Sequence, residues 1–196
     1  MADLIKNTEK IKQLAFFDAL TGLPNRRSLQ DRLVDVIKEH ASHEMFGSLL
    51  FLDLDNFKMI NDTHGHYMGD VLLLEVAKRI EKQLDANDMV ARFGGDEFII
   101  ILNNLSMDPE RASLKALEIA QNIKQAISQT IMLTNEKLAV TIEYEVASSI
   151  GVVMFPLDYD NSDELLKLAD LALYKAKDNG CNNVVRFKES MLKDLE

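Results

Sequence analysis

The chain has almost no cysteine. Cys181 is alone among 196 residues, so no disulfide framework exists and a reducing compartment is expected. Long apolar runs are missing as well. SLLFLDLD and FIIIL, the most hydrophobic stretches, fall far short of the ~20 residues needed to cross a bilayer. No basic-then-apolar leader opens the chain, although an anchor upstream of Met1 stays open if this is a piece of a longer protein. Positive charge is scarce: 22 Lys and Arg stand against 32 Asp and Glu, for a net charge of −10. Nucleic acid and anionic membrane are therefore poor partners. No G-x-x-x-x-G-K-[ST] loop occurs, which removes the commonest phosphate cradle but not nucleotides in general. An anionic substrate would need a local charge offset, and a metal ion is the natural one.

What is present suits one globular domain with a sizeable core, since 47% of residues are hydrophobic. Residues 2–17 read as a charged helix with a narrow stripe of Leu4, Ile11 and Leu14, either a stalk from another domain or an ordinary packed helix. Gly22 and Pro24 then interrupt the pattern, and Leu29, Leu33, Val36 or Ile37, and His40 recur at helical spacing. FGSLLFLDLD, residues 46–55, is the first strong strand, and alternation puts Phe51, Asp53 and Asp55 on one face. NDTHGHYMG reads as a loop, with Asp70 opening a helix that buries Leu73, Val76, Ile80 and Leu84.

DMVARF and FIIIL flank GGDE as a hairpin. Asp108-Pro109 starts a helix carrying Ala116, Ala120, Ile123 and Ile127. Residues 131–155 are strand-rich, with TNEK as a turn and EYEVASSIGVVMF as the longest β run. Ser162 or Asn161 caps a last helix holding Leu165, Ala169, Ala172 and Ala176, which Asn179-Gly180 ends before VVRF returns as an edge strand. The order β-α-β-β-α-β with a final α-β pair predicts an α+β fold. Its core is ferredoxin-like, a central and mostly antiparallel sheet flanked by helices, with an extra β-hairpin.

ARFGGDEFII, residues 91–100, puts two glycines and two acids inside that hairpin, although all four are poor strand residues. In this topology Asp53, near the end of its strand, neighbours Asp96 at the hairpin turn. Two carboxylates at a sheet edge suit a hard cation such as Mg²⁺. Gly94 and Gly95 let backbone approach a bulky ligand. His64 and His66 form an H-x-H pair without a third ligand and read as loop structure.

From about residue 16 to about 188 the chain resembles the GGDEF family, the diguanylate cyclases of bacteria. The resemblance rests on Gly94-Gly95-Asp96-Glu97-Phe98 together with Asp18-Ala19-Leu20-Thr21-Gly22-Leu23-Pro24-Asn25-Arg26, Asp53-Leu54-Asp55, Asn61-Asp62, Gly65-His66 and Gly69-Asp70. Ser149-Ile150-Gly151, Ala169-Asp170, Ala172-Leu173-Tyr174 and Ala176-Lys177 continue it. It implies a palm-like nucleotidyl-cyclase core that condenses two GTP into cyclic di-GMP and two pyrophosphates at a homodimer interface, with Mg²⁺ or Mn²⁺. A cytoplasmic location follows, either free or as part of a larger membrane-bound protein with an upstream sensor domain. Residues 1–17 would be the stalk, 18–188 the catalytic domain and 189–196 a tail.

Carried over by position, Asp53, the Leu54 carbonyl and Asp96 match metal ligands, and Glu97 a second-metal ligand. Either Asp96 or Glu97 would assist deprotonation, and the sequence does not choose. Asn61 and Asp70 match guanine readers. Phe57 and Lys58, with Asn56, match a phosphate loop, Lys177 a phosphate-binding lysine, and Gly94 and Gly95 the substrate platform. Two departures stand out. Cys181 replaces an arginine common in the family, which predicts weaker GTP binding. Asp85-Ala86-Asn87-Asp88 replaces the Arg-x-x-Asp of the product-inhibition site, which predicts that strong inhibition through it is lost. The rival reading is a weak or inactive module that binds GTP or a partner and regulates an attached domain. A polymerase palm shares the paired-carboxylate logic, but the chain offers no basic groove.

Overall fold

Alternation along Leu49 to Leu54 decides the architecture. Strand β1 (Phe46–Leu54) sends Leu50, Leu52 and Leu54 into one apolar cluster and Leu49 and Phe51 into another. A strand buried on both faces belongs in the middle of a sheet covered by helices on both sides. The computed structural model, which describes residues 15–136, 139–159 and 161–195, has that form. The remaining strands of the main sheet are β2 (Met89–Gly94), β3 (Glu97–Ser106), β6 (Ser148–Phe155) and β7 (Val184–Arg186). They are ordered β2-β3-β1-β6-β7, with β1 antiparallel to both its neighbours and only β7 running parallel to its neighbour. A separate hairpin joins β4 (Ile131–Asn135) to β5 (Val140–Tyr144). This is the expected ferredoxin-like, cyclase-palm arrangement, extra hairpin included.

Helices α1 (Arg26–His43) and α5 (Ser162–Asp178) cover the Leu49 and Phe51 face. The opposite face is covered by α2 (Phe57–His64), α3 (His66–Glu81) and α4 (Pro109–Ser128). Asn25, Asp108 and Asn161 cap α1, α4 and α5 by accepting from backbone N–H groups. Each such cap contributes about 0.5–2 kcal/mol. The choice between Asn161 and Ser162 thus falls to Asn161. A Cβ on Gly151 would collide with the Ala169 carbonyl and the Leu173 amide, so α5 lies directly on the sheet backbone. That close approach brings its C-terminal end, with Lys177, to the strand ends that carry the acids.

Three expectations are corrected. Residues 61–69 are not a loop: α2 and α3 run through them, broken only at Gly65 with φ +81°. Ile60, Met68 and Leu72 are buried there, and that packing outweighs the polarity of the run. Asp70 therefore sits inside α3 rather than opening it, His64 and His66 are helix-end residues, and Leu84 lies beyond the end of α3. EYEVASSIGVVMF is not one β run, because residues 145–147 leave β5 and β6 in different sheets. In TNEK, Thr134 and Asn135 still pair with Thr141 and Val140, so the connection comes later. β1 ends at Leu54, but Asp55 stays on the side of Asp53 as expected, since it accepts from Ser149, the residue opposite Asp53. The expected stalk lies almost wholly outside the described residues. Among the described residues no helix is long and apolar enough to cross a membrane.

Candidate active site

β2 and β3 are joined through Gly95 and Asp96, and Gly95 takes φ +51°, a conformation that glycine adopts without Cβ strain. Gly94 has no such backbone requirement. A Cβ at either glycine would meet no atom within 4 Å, so neither is bare for internal packing and both face open space. Arg92 fastens the turn: its Nε and Nη2 donate to the Gly95 carbonyl at 3.0 and 2.7 Å, and its Nη1 donates to Asp18 Oδ1 at 3.0 Å. The segment before α1 is thereby tied to the hairpin tip.

Asp53 is paired in register with Glu97 of β3 on one side and with Ser149 of β6 on the other. Residues directly opposite across antiparallel strands present their side chains to the same face. Lys177 comes from α5 above, with Nζ 2.8 Å from Asp53 Oδ1. Burial raises the Asp53 carboxyl above its ordinary value, and the Asp96 and Asp55 charges add to this against the Lys177 contact. Burial likewise raises Glu97, followed by the charges of Asp53, Asp96 and Asp170. Burial would lower Lys177, but its bond to Asp53 and the charges of Asp53, Asp55 and Asp96 hold it above the usual lysine range. Asp53, Asp96, Glu97 and Lys177 thus share one electrostatic site. Asp170 belongs to the same field and was not singled out from the sequence. Its signal was available: it precedes Lys177 by two helical turns and lies on the same side of α5.

Among the described residues, no group of three or more His, Cys, Asp or Glu residues forms a ready-made metal cage. The donor chemistry still fits a hard cation. The carboxylates repel one another, a backbone carbonyl at Leu54 closes the strand beside them, and an ammonium already sits against Asp53 where positive charge is needed. Asp55 is engaged otherwise. Its Oδ1 accepts from Ser149 Oγ at 2.8 Å and its Oδ2 from the Asn182 amide at 2.9 Å, pinning the loop after α5 to the end of β1. Lys124 holds that loop from α4, donating to both the Asn182 carbonyl and its side-chain oxygen at 3.1 Å. Cys181 is exposed on this loop.

On the far side of β1, Asn61 packs against Gly69, where a Cβ would strike its Oδ1. This brings Asn61 of α2 beside the residue preceding Asp70 of α3. Asn56, at φ +58°, leads into α2 without a side-chain cap, so the N–H groups around Phe57 and Lys58 open the helix uncapped. The sequence-predicted residues therefore group into an acid shelf with Lys177, a polar corner at Asn61 and Asp70, and an uncapped helix start at Phe57. Asp88 accepts from the Asp85 and Asn103 amides at its two oxygens, at 3.0 and 2.9 Å.

A palm-like sheet with acids at the end of its central strand defines the nucleotidyl-cyclase class of fold. The profile of the GGDEF family, described as diguanylate cyclase, GGDEF domain, matches residues 15–183, and the chain belongs to that family. It is 38% identical over 188 residues to MucR of Pseudomonas aeruginosa, a bifunctional diguanylate cyclase/cyclic di-GMP phosphodiesterase, covering 96% of this chain and 26% of MucR. The isolated GGDEF domain of TpbB from the same organism superposes with TM-score 0.82 at 35% identity, covering 91% of this chain and 98% of that one. The coiled coil and GGDEF domain of DgcB from Caulobacter crescentus, solved with cyclic di-GMP, gives TM-score 0.80 at 28% identity, covering 94% and 92%. The chain spans about a fifth to a half of the length of the curated relatives it matches.

Proposed function

We propose that this domain is a diguanylate cyclase that condenses two GTP into cyclic di-GMP. The observation that carries the reading is the placement of Asp53, Asp96, Glu97 and Lys177 in one charge-coupled site at the end of the central sheet. Asp53, the Leu54 carbonyl and Asp96 would hold a divalent cation, with Glu97 available to a second. Bound Mg²⁺ or Mn²⁺ supplies charge neutralisation at the triphosphate and acidifies a hydroxyl.

The chain's own groups position the nucleotide. Asp70 accepts from guanine N1–H and N2–H, and the Asn61 amide answers another ring position. The uncapped start of α2 at Phe57 and Lys58 receives phosphate oxygens. Lys177, whose ammonium lies beside Asp53, would offer its charge to the triphosphate. Gly94 and Gly95 leave room for the ribose and for a second nucleotide. The 3′-hydroxyl oxygen of one GTP forms a bond to the α-phosphorus of the other, and the bond from that phosphorus to the pyrophosphate oxygen breaks. Glu97 or Asp96 accepts the hydroxyl proton. Burial, and then the charges of Asp53 and Asp96, raise the Glu97 carboxyl, which supports a proton-accepting role for it. A second such step closes the ring. Each chain holds one GTP, so two copies must face each other, and a stalk from an upstream sensor would raise their effective concentration. Residues 18–188 would form this unit, working on cytoplasmic GTP.

Purified protein incubated with GTP and Mg²⁺ should produce cyclic di-GMP, with specific activity rising with protein concentration as dimers form. GTP binding without product, even in an artificially dimerised form, would instead support the regulatory reading. The Cys181 departure is the observation that favours that second reading.

A further inference from the structure

Next to the acid shelf, a cleft of about 500 Å³ opens between the start of α1 and the hairpin tip. Arg26 and Arg27 form one wall, and Arg92, Phe93, Gly94 and Gly95 form the other. It lies on the catalytic face: Phe93 packs edge-on against Phe51 at 5.4 Å, and Phe51 shares its strand face with Asp53. In a chain of net charge −10, so much arginine around one opening requires a reason.

Arg92 is already consumed by Asp18 and the Gly95 carbonyl. Arg26 and Arg27 are not. Arg26 lies over the Phe93 ring at 4.4 Å and Arg27 over the Phe16 ring at 5.3 Å. Stacking fixes the plane of a guanidinium without using its N–H donors. Among the described residues neither has a carboxylate partner. The first turn of α1 also contains no acid, so its positive end is left uncompensated.

We propose that this cleft is a second phosphate subsite, in which Arg26 and Arg27 grip a phosphate of the nucleotide held by the opposing copy of the chain. The assignment of the ligand rests on the cyclase reading. The geometry explains why the hairpin carries two glycines facing open space: one side serves the chain's own nucleotide, and the other admits its neighbour's. The α-phosphate under attack gains negative charge in the transition state, and preformed N–H donors aimed at it lower the barrier.

Inorganic pyrophosphate, added without divalent metal to the ¹⁵N-labelled full chain, tests the subsite independently of turnover. The Nε–Hε signals of Arg26 and Arg27 and the amides of Gly94 and Gly95 should shift together. The Arg26→Ala/Arg27→Ala variant should lose the glycine shifts, whereas Arg111→Ala/Lys115→Ala, which removes equal charge from exposed positions on α4, should keep them. No shift in the wild type, or undiminished glycine shifts in Arg26→Ala/Arg27→Ala, would overturn the subsite. With GTP and Mg²⁺ the same variant should lose roughly tenfold to a hundredfold in kcat with KM held within about twofold, and lysines at both positions should recover part of it. An unchanged kcat would overturn its role in the reaction. A wild type that makes no cyclic di-GMP would sink the cyclase reading and leave the pyrophosphate titration to decide the subsite.

Discussion

Lys177 Nζ lies 2.8 Å from Asp53 Oδ1, bridging the last turn of α5 to the end of β1. A half-buried carboxylate among other acids thus has its charge met by a flexible ammonium, where a divalent cation would compete for the same oxygens. Mg²⁺ should raise the Tm and EDTA should reverse the effect. In EDTA, Lys177→Met should cost about 1 kcal/mol, the low value that suits a lysine 39% exposed. Thermal unfolding with and without Mg²⁺ checks both, and a Lys177→Met protein as stable as wild type would contradict the pairing.

Glu97 predicts a pH dependence of stability. Its folded carboxyl is raised by burial and then by Asp53, Asp96 and Asp170. A carboxyl raised on folding supports the fold fully below its unfolded value and loses that support as pH rises through the folded value. Metal-free Glu97→Gln should therefore melt a few degrees above wild type at pH 7, with the difference vanishing near pH 3. Equal melting at pH 7 would contradict it.

Restoring arginine at position 181 should strengthen GTP binding. Cys181 stands just past the end of α5 beside Asp55, close to Lys177 and the acid shelf. A well-made charged hydrogen bond contributes about 1.5–3 kcal/mol, so Cys181→Arg should lower the Michaelis constant for GTP by about tenfold or more. An unchanged constant would show that the loop does not reach the phosphates.

The window at residues 85–88 should not bind product. Asp88 accepts from two backbone amides, and Glu81 and Asp85 share its cleft of about 400 Å³, so the lining is acidic where a phosphate would need an arginine. Cyclic di-GMP should inhibit equally in wild type and Asp88→Ala, while that variant loses about 1–3 kcal/mol of stability through orphaned N–H groups. Tight inhibition that disappears in Asp88→Ala would contradict this.

Much of this was legible in the residues. Alternation along FGSLLFLDLD marks β1 as a strand, and the odd composition of GGDE marks a hairpin tip, whose glycines do face open space. Helical spacing found the buried residues of α1, α4 and α5. The polar run of residues 61–69 misled, because two helices meeting at Gly65 bury Ile60 and Met68 by tertiary contact that no local propensity records. Alternation places Asp55 on the face of Asp53 and the structure agrees, but its partners, Ser149 and Asn182, lie 94 and 127 residues away and become visible only in the fold. Arg26 reads as a turn residue, and Arg27 carries no signal of its own, until Phe93 and Phe16 are placed beneath them.

The most direct measurement sets wild type beside Asp96→Ala, both folded by thermal melt, with GTP and Mg²⁺ at concentrations that favour dimers. The account predicts cyclic di-GMP and pyrophosphate from wild type and neither above background from Asp96→Ala. Equal product from the two proteins, or none from wild type when forcibly dimerised, would contradict it.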